Sequence, residues 1–262
     1  MVKISHETPL CLLEFSRQFN DYDYCLPHLM DNDESYRDFF LKSKELKREI
    51  FLDNSLHELG FSYDKNRLLY WIEELRPSSF FIPDVWEDFE KTYENALEWS
   101  KIDLPDGVEK IVIVQGKSIY EARLMVKMYK KLGYKRIAFP YGSSYYDSLF
   151  YNPNENIRKA LGRVLAIGML VEDGYLTDDD NVHLLGTACP VEFPFYKDYK
   201  FIKSVDTSNP VMAALEFIEY NKLGIHEKPK SNLNSHFNVD FTNIDLELLF
   251  HNVNSFKDLF KN

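Results

Sequence analysis

The decapeptide FIKSVDTSNP at 201–210 places an acid, Asp206, where strand-like residues give way to the helix-starting run Thr207-Ser208-Asn209-Pro210. Enzymes built from strand-helix units carry working carboxylates at this junction, although an Asp there also serves simply as a helix cap. The arrangement recurs upstream. Asp53, Asp84 and Gln115 each follow a short apolar run and succeed one another at intervals of 31 residues, the length of one strand-helix unit. Three of the ten glycines, Gly116, Gly142 and Gly186, also fall at strand ends, where a missing side chain lets a ligand come close to the backbone.

These residue types suit a planar ligand rich in hydrogen-bonding groups. Asp84 accepts and the Gln115 carboxamide both donates and accepts, so together they could read the edge of a heterocycle. Asp53 and Asp206 could divide the labour as proton-transfer group and nucleophile, as when a glycosidic bond is broken through a covalent intermediate. Taken singly, Asp53 and Asp84 also suit turns, and Gln115 suits a satisfied strand-end amide. His57, four residues past Asp53, could stack on a bound ring or simply pack, and His183, inside a strand pattern, reads as structural. Serine hydrolase, zinc peptidase, dinucleotide and P-loop readings find no GxSxG, HExxH, GxGxxG or GxxxxGK[ST] to rest on.

The elements that must position these groups alternate along the chain. Strand patterns are predicted over 22–26, 49–52, 79–82, 110–114, 136–139, 182–185 and 201–205, with an eighth over 237–241. Helical patterns fall between them over 34–46, 66–75, 86–99, 118–132, 155–170 and 210–221, and 244–260 closes the series. The class is therefore α/β, a (β/α)8 TIM barrel, read as a single domain over 1–262 whose last strand-helix unit spans about 237–260. No composition break or low-complexity linker interrupts it.

The whole chain sets limits on its partners. A length of 262 residues with 45% hydrophobic content is enough for one large barrel. A net charge of −11 disfavours sequence-blind attraction to nucleic acid, because that attraction comes from Lys and Arg neutralising phosphates. The densest basic stretch, 117–136, puts Arg123, Lys127, Lys130 and Lys131 on one helical face, as on an outer barrel helix. Cys11, Cys25 and Cys189 are odd in number and far apart, which fits reduced thiols. With neither a signal-peptide pattern nor an apolar run long enough to span a bilayer, the expectation is a cytoplasmic protein with no membrane partner. Neither a cofactor nor a metal is called for.

The ordered series LDNSLHELG (52–60), IPDVWED (82–88), IVQG (113–116), FPYGSS (139–144), HLLGTACP (183–190) and SVDTSNP (204–210) resembles the queuine and archaeosine tRNA-guanine transglycosylase superfamily. It looks most like the phage and bacterial branch that modifies DNA with 7-deazaguanines. The resemblance implies a barrel enzyme, host-cytoplasmic if phage-encoded, that exchanges guanine in a polynucleotide for a 7-deazaguanine base. It implies Asp206 as nucleophile, Asp53 as proton handler, and Asp84 and Gln115 as base readers. Asn54, Gly116, Gly142 and Gly186 would line the pocket, with His57 and Leu185 on the two faces of the base. The zinc-binding unit of tRNA-specific relatives has no counterpart after Pro210, and Asp53-Asn54-Ser55-Leu56 replaces their DSGG loop, so DNA is the expected polymer ahead of tRNA. A partner protein could supply nucleic-acid binding. The alternatives left open are a tRNA enzyme, a deazapurine nucleoside hydrolase, and a non-catalytic partner subunit.

Overall fold

The computed structural model describes residues 2–261. Eight parallel strands alternate with helices and form the nearly closed barrel of the (β/α)8, or TIM-barrel, class. They are β1 (Lys3–Ser5), β2 (Asp23–Cys25), β3 (Ile50–Leu52), β4 (Ser79–Phe81), β5 (Glu109–Ile113), β6 (Arg136–Pro140), β7 (Asn181–Leu185) and β8 (Ile202–Asp206). Chain contacts group into two compact units, one formed by Asp21–Phe139 and the other by the residues through Asn20 and from Pro140 onward.

Within Asp21–Phe139 the strands pair in sequence order, β2 with β3, β3 with β4, β4 with β5 and β5 with β6. Their residues are buried almost without interruption: Ile50, Phe51, Leu52, Phe80, Phe81, Ile111, Val112 and Ile113 are each 2% exposed or less. Such runs are expected where a parallel strand is covered on both faces, and each large side chain so buried contributes about 1.5–3 kcal/mol. Helix starts follow the capping side chains. Asp33, Asp64, Asp88 and Ser118 accept from the backbone N–H of Tyr36, Arg67, Lys91 and Glu121, so the helices begin at Glu34, Lys65, Phe89 and Ile119. The helical pattern over 86–99 therefore starts three residues late, behind Glu87 at φ +50°. At the amino end, Arg136 donates to Ser79 Oγ at 2.8 Å and lies 4.9 Å from the Phe51 ring centre, closing that end with packed side chains.

In the other unit β8 pairs with both β7 and β1. This corrects the expected eighth strand. Residues 237–241 form no strand: they lie between the short helix Leu233–His236 and the 3-10 turn Phe241–Asn243, which Asp240 caps by accepting from Thr242 N–H. The alternating apolar residues of FNVDF mimic a strand, but the capping Asp drives the chain into a turn. The eighth strand is instead Lys3–Ser5, too short to show a period and visible only through its pairing with β8. The expected closing helix exists as Leu246–Asp258. The helix after β8 spans only Asn209–Leu215 and ends where Phe217 adopts φ +57°.

The long helix Glu155–Glu172 packs on the short helix Tyr146–Leu149 through Gly162. A Cβ at Gly162 would lie 2.4 Å from the Tyr146 carbonyl oxygen and 2.6 Å from its Cβ. Backbone cannot step aside as a flexible side chain can. Gly162→Ala is therefore expected to destabilise the protein by about 1–3 kcal/mol, measured by urea unfolding; an unchanged midpoint would contradict this packing.

Candidate functional site

In the unit Asp21–Phe139 the strand ends are extended by ladder hydrogen bonds that carry the chain to its polar residues. Asp53 N–H donates to the Cys25 carbonyl at 2.8 Å, Ile82 N–H to Ile111 at 2.9 Å and Val114 N–H to Ala138 at 2.9 Å. Asp53, Asp84 and Gln115 thus sit at or just past the carboxyl ends of β3, β4 and β5, the end where barrels of this class build their sites.

Two of these side chains, Asp84 and Gln115, meet Asn54 in one network. Asp84 Oδ2 accepts from Gln115 Nε2 at 2.6 Å and its Oδ1 from Asn54 Nδ2 at 2.7 Å. Asn54 Nδ2 also donates to the Ile82 carbonyl at 3.0 Å, and Gln115 Oε1 accepts from Glu87 N–H at 3.0 Å. Asp84, Asn54 and Gln115 are each 2% exposed or less. Burial pushes the Asp84 carboxyl up from its usual 3.8 to about 6, against the pull of the two amide donors, which favour the charged form. Each oxygen of Asp84 accepts from one carboxamide, and its own backbone N–H adds to the pull toward the charged form.

Asp53 is held next to this network by groups the sequence reading did not single out. Its Oδ1 accepts from the Tyr24 hydroxyl at 2.8 Å and its Oδ2 from Ser55 N–H at 2.8 Å. Ser55 has φ +56°, a left-handed conformation costly for a residue with a side chain. The Asp53–Ser55 and Asn54–Leu56 side chain to backbone bonds stabilise that bend. Ser55 Oγ pairs with His28 Nδ1 at 2.7 Å, and burial lowers the pKa of His28, favouring a neutral ring. The expected ring, His57, lies instead on the helix Leu56–Leu59 with its side chain exposed. Tyr24 and His28 left faint traces in the sequence: Tyr24 falls within the first strand pattern, and Pro27 marks a helix start just before His28.

In the other unit Asp206 is the last residue of β8 and is 3% exposed. Its Oδ1 receives two donors, His183 Nε2 at 2.8 Å and Gly186 N–H at 3.2 Å. Among the described residues nothing bonds to Oδ2. His183 Nδ1 pairs with Ser204 Oγ at 2.8 Å, and the β7–β8 register places His183 opposite Ser204. The connectivity Ser204–His183–Asp206 has the form of a hydrolase triad, but Ser204 lies two residues inside β8 and is only 2% exposed. The chain of bonds ends on Asp206, the acid at the strand terminus.

The β7 end is clamped from behind. The Arg163 guanidinium and the Glu192 carboxylate, both fully buried, form a two-bond ion pair at 2.8 and 2.7 Å. Arg163 also donates to the carbonyls of Leu185 at 3.2 Å and Gly186 at 2.9 Å, while Thr187 and Tyr196 hydroxyls complete Glu192, each at 3.0 Å. Without such extra bonds a buried ion pair barely recovers its desolvation cost.

The glycines are explained mainly by packing. Gly186 has φ +64°, and a Cβ there would stand 2.5 Å from Tyr141 Cδ1, so the Tyr141 ring occupies the space the glycine opens. At Gly116 a Cβ would touch Glu121 Cβ and Oε2 at 3.0 Å. Glu121 accepts from Lys117 N–H, just before the helix, while its own N–H bonds the capping Ser118 Oγ. Gly142 is half-buried in the turn after β6, and Leu185 is half-buried with its carbonyl shared between Arg163 and Tyr141 N–H.

No family model matches the chain, and no curated protein matches it. The fold and these two clusters define a (β/α)8 barrel whose strand ends carry buried, selectively hydrogen-bonded carboxylates. Among the described residues no three or more His, Cys, Asp or Glu side chains group to hold a metal ion, and no helix is long and apolar enough to cross a membrane.

Asp84 makes the stability depend on pH. The native carboxyl keeps its proton to about pH 6, whereas the unfolded chain loses it near 3.8. Between those values the native state binds more protons, so this contribution is full below 3.8 and is lost as pH rises through 6. Asp84→Asn lacks the titration. The unfolding free energy of wild type minus that of the variant should fall by about 3 kcal/mol across this window, followed by urea unfolding at a series of pH values; a flat difference would contradict the burial of the charge.

Proposed function

We propose that this protein is a transglycosylase that exchanges guanine in a polynucleotide, DNA ahead of tRNA, for a 7-deazaguanine base through a covalent aspartyl-sugar intermediate. The observation that carries the reading is Asp206: a buried carboxylate at a strand end, one oxygen held by two donors and the other, among the described residues, bonded by none. Such a group is oriented as a nucleophile.

In the proposed first step Asp206 Oδ2 forms a bond to the anomeric carbon C1′ of the target nucleotide. The C1′–N9 bond breaks, its electron pair goes to the departing guanine, and Asp53 delivers the proton that neutralises it. In the second step Asp53 takes the proton from N9 of the incoming base, N9 attacks C1′, and the ester bond to Asp206 breaks to return the carboxylate. Asp84, Gln115 and Asn54 support recognition of a guanine-like edge. The carboxylate accepts from ring and amino N–H groups, and the carboxamides take the complementary positions. The ordered motifs from LDNSLHELG to SVDTSNP favour a base-exchange reaction, and Asp53-Asn54-Ser55-Leu56 favours DNA. Reaching C1′ requires an extruded or single-stranded nucleotide, at a cost of about a few kcal/mol for unstacking. With a net charge of −11 the protein gains little from general attraction to phosphates, which leaves a role for a partner protein in holding the polymer.

The test supplies labelled guanine together with single-stranded DNA, duplex DNA or tRNA and follows label into polymer. Label should enter DNA, and Asp206→Asn should lower its incorporation by at least about three orders of magnitude with the fold unchanged. Undiminished exchange by that variant would overturn the nucleophile. Guanine release without incorporation from any polymer would overturn exchange in favour of hydrolysis.

A further inference from the structure

The polar chain behind Asp206 is more than a support for β8. His183 Nε2 and Gly186 N–H converge on the same oxygen, Oδ1, at 2.8 and 3.2 Å, while Ser204 Oγ meets His183 Nδ1 at 2.8 Å. His183 is fully buried and Ser204 is 2% exposed. A carboxylate can only accept, so Nε2 carries the hydrogen toward Asp206, and Nδ1 pairs with the Ser204 hydroxyl on the far side of the ring. Ser204 thereby holds the ring in the orientation that bonds Asp206.

We infer that His183 is a positioning residue that assigns the two oxygens of Asp206 different tasks and speeds departure of the carboxylate in the second half of the exchange. This deepens, and rests on, the transglycosylase reading. Oδ1 is reserved for hydrogen bonds, so Oδ2 forms the bond to C1′. In the covalent intermediate Oδ1 is the carbonyl oxygen of an ester, with less negative charge than it bears in the free carboxylate. Donors aimed at Oδ1 therefore favour the free carboxylate over the ester. When N9 of the incoming base attacks C1′ and the C1′–Oδ2 bond breaks, negative charge returns to the carboxylate and the His183 and Gly186 N–H groups meet it without reorganising. Loss of the His183 donor should slow the second displacement more than the first, and covalent enzyme should accumulate.

This is a signature that a purely structural histidine would not give. The test compares His183→Phe, which keeps a ring but removes the N–H, with His183→Gln, whose amide can still donate. With a guanine-containing single-stranded DNA oligonucleotide and labelled guanine, two quantities are read: the exchange rate and the fraction of protein migrating as a covalent DNA adduct. His183→Phe should exchange about 100-fold more slowly, with KM for guanine little changed and a larger adduct fraction than wild type, and His183→Gln should recover much of the loss. If His183→Phe does not fold, His183→Gln beside Ser204→Ala serves the same comparison, with Ser204→Ala expected to raise the adduct fraction.

Wild-type rates and adduct levels in a folded His183→Phe would overturn the inference. So would an equal loss in the Phe and Gln variants with no adduct accumulating. A wild-type protein that neither exchanges base nor forms adduct would be a different failure, that of the transglycosylase reading itself, and would take the inference with it.

Discussion

A carboxylate removed from water must be given donors, and that requirement shapes both units of this protein. Asp53 has the Tyr24 hydroxyl and Ser55 N–H, Asp84 has two carboxamides, Asp206 has an imidazole and a peptide N–H, and Glu192 has a guanidinium and two hydroxyls. An unpaired buried charge would shift its pKa until it was neutral or would destabilise the fold by several kcal/mol. The partners differ in kind, and so do the consequences. Burial raises the Asp84 pKa despite its amide donors, whereas donors that converge on one oxygen leave Asp206 lopsided, with nothing bonded to its second oxygen among the described residues.

Compensation at one site also builds the next. The Arg163–Glu192 pair stabilises its own buried charges only because Arg163 spends its remaining N–H groups on the carbonyls of Leu185 and Gly186. Those bonds fix the peptide whose N–H faces Asp206. Tyr141 packs on the same glycine, and its own N–H bonds the Leu185 carbonyl. Left-handed backbone appears in the same places: Ser55 adopts it at a cost that its neighbours' side-chain bonds offset, and Gly186 adopts it freely because it lacks a Cβ.

Much of the fold was legible because the signals were periodic. Short apolar runs at regular intervals, each followed by a helical pattern, located β2 through β8 to within a residue or two. The misses have local causes. Lys3–Ser5 is too short to show alternation, and 237–241 alternates without pairing, so only tertiary contact separates strand from turn. The acids and the amide at strand ends were visible as types and spacings, but their partners were not. His183 reads as a structural strand residue until the β7–β8 register puts it opposite Ser204 and within reach of Asp206. His57 looked like a ring beside Asp53 and lies exposed on the helix Leu56–Leu59, while His28, distant in sequence, pairs with Ser55 next to that acid. At Gly116 and Gly186 a glycine reads the same whether it admits a ligand or a neighbouring side chain.

The central claim is that Asp206 forms a bond to the sugar. The most direct measurement incubates the protein with a guanine-containing single-stranded DNA oligonucleotide, denatures the mixture, digests protein and DNA, and locates any sugar-modified peptide by mass spectrometry. The account predicts modification within residues 204–210, at Asp206, and its disappearance when excess guanine is added before denaturation. Modification at Asp53 or Asp84 instead, or base exchange with no modified peptide at any time, would contradict it.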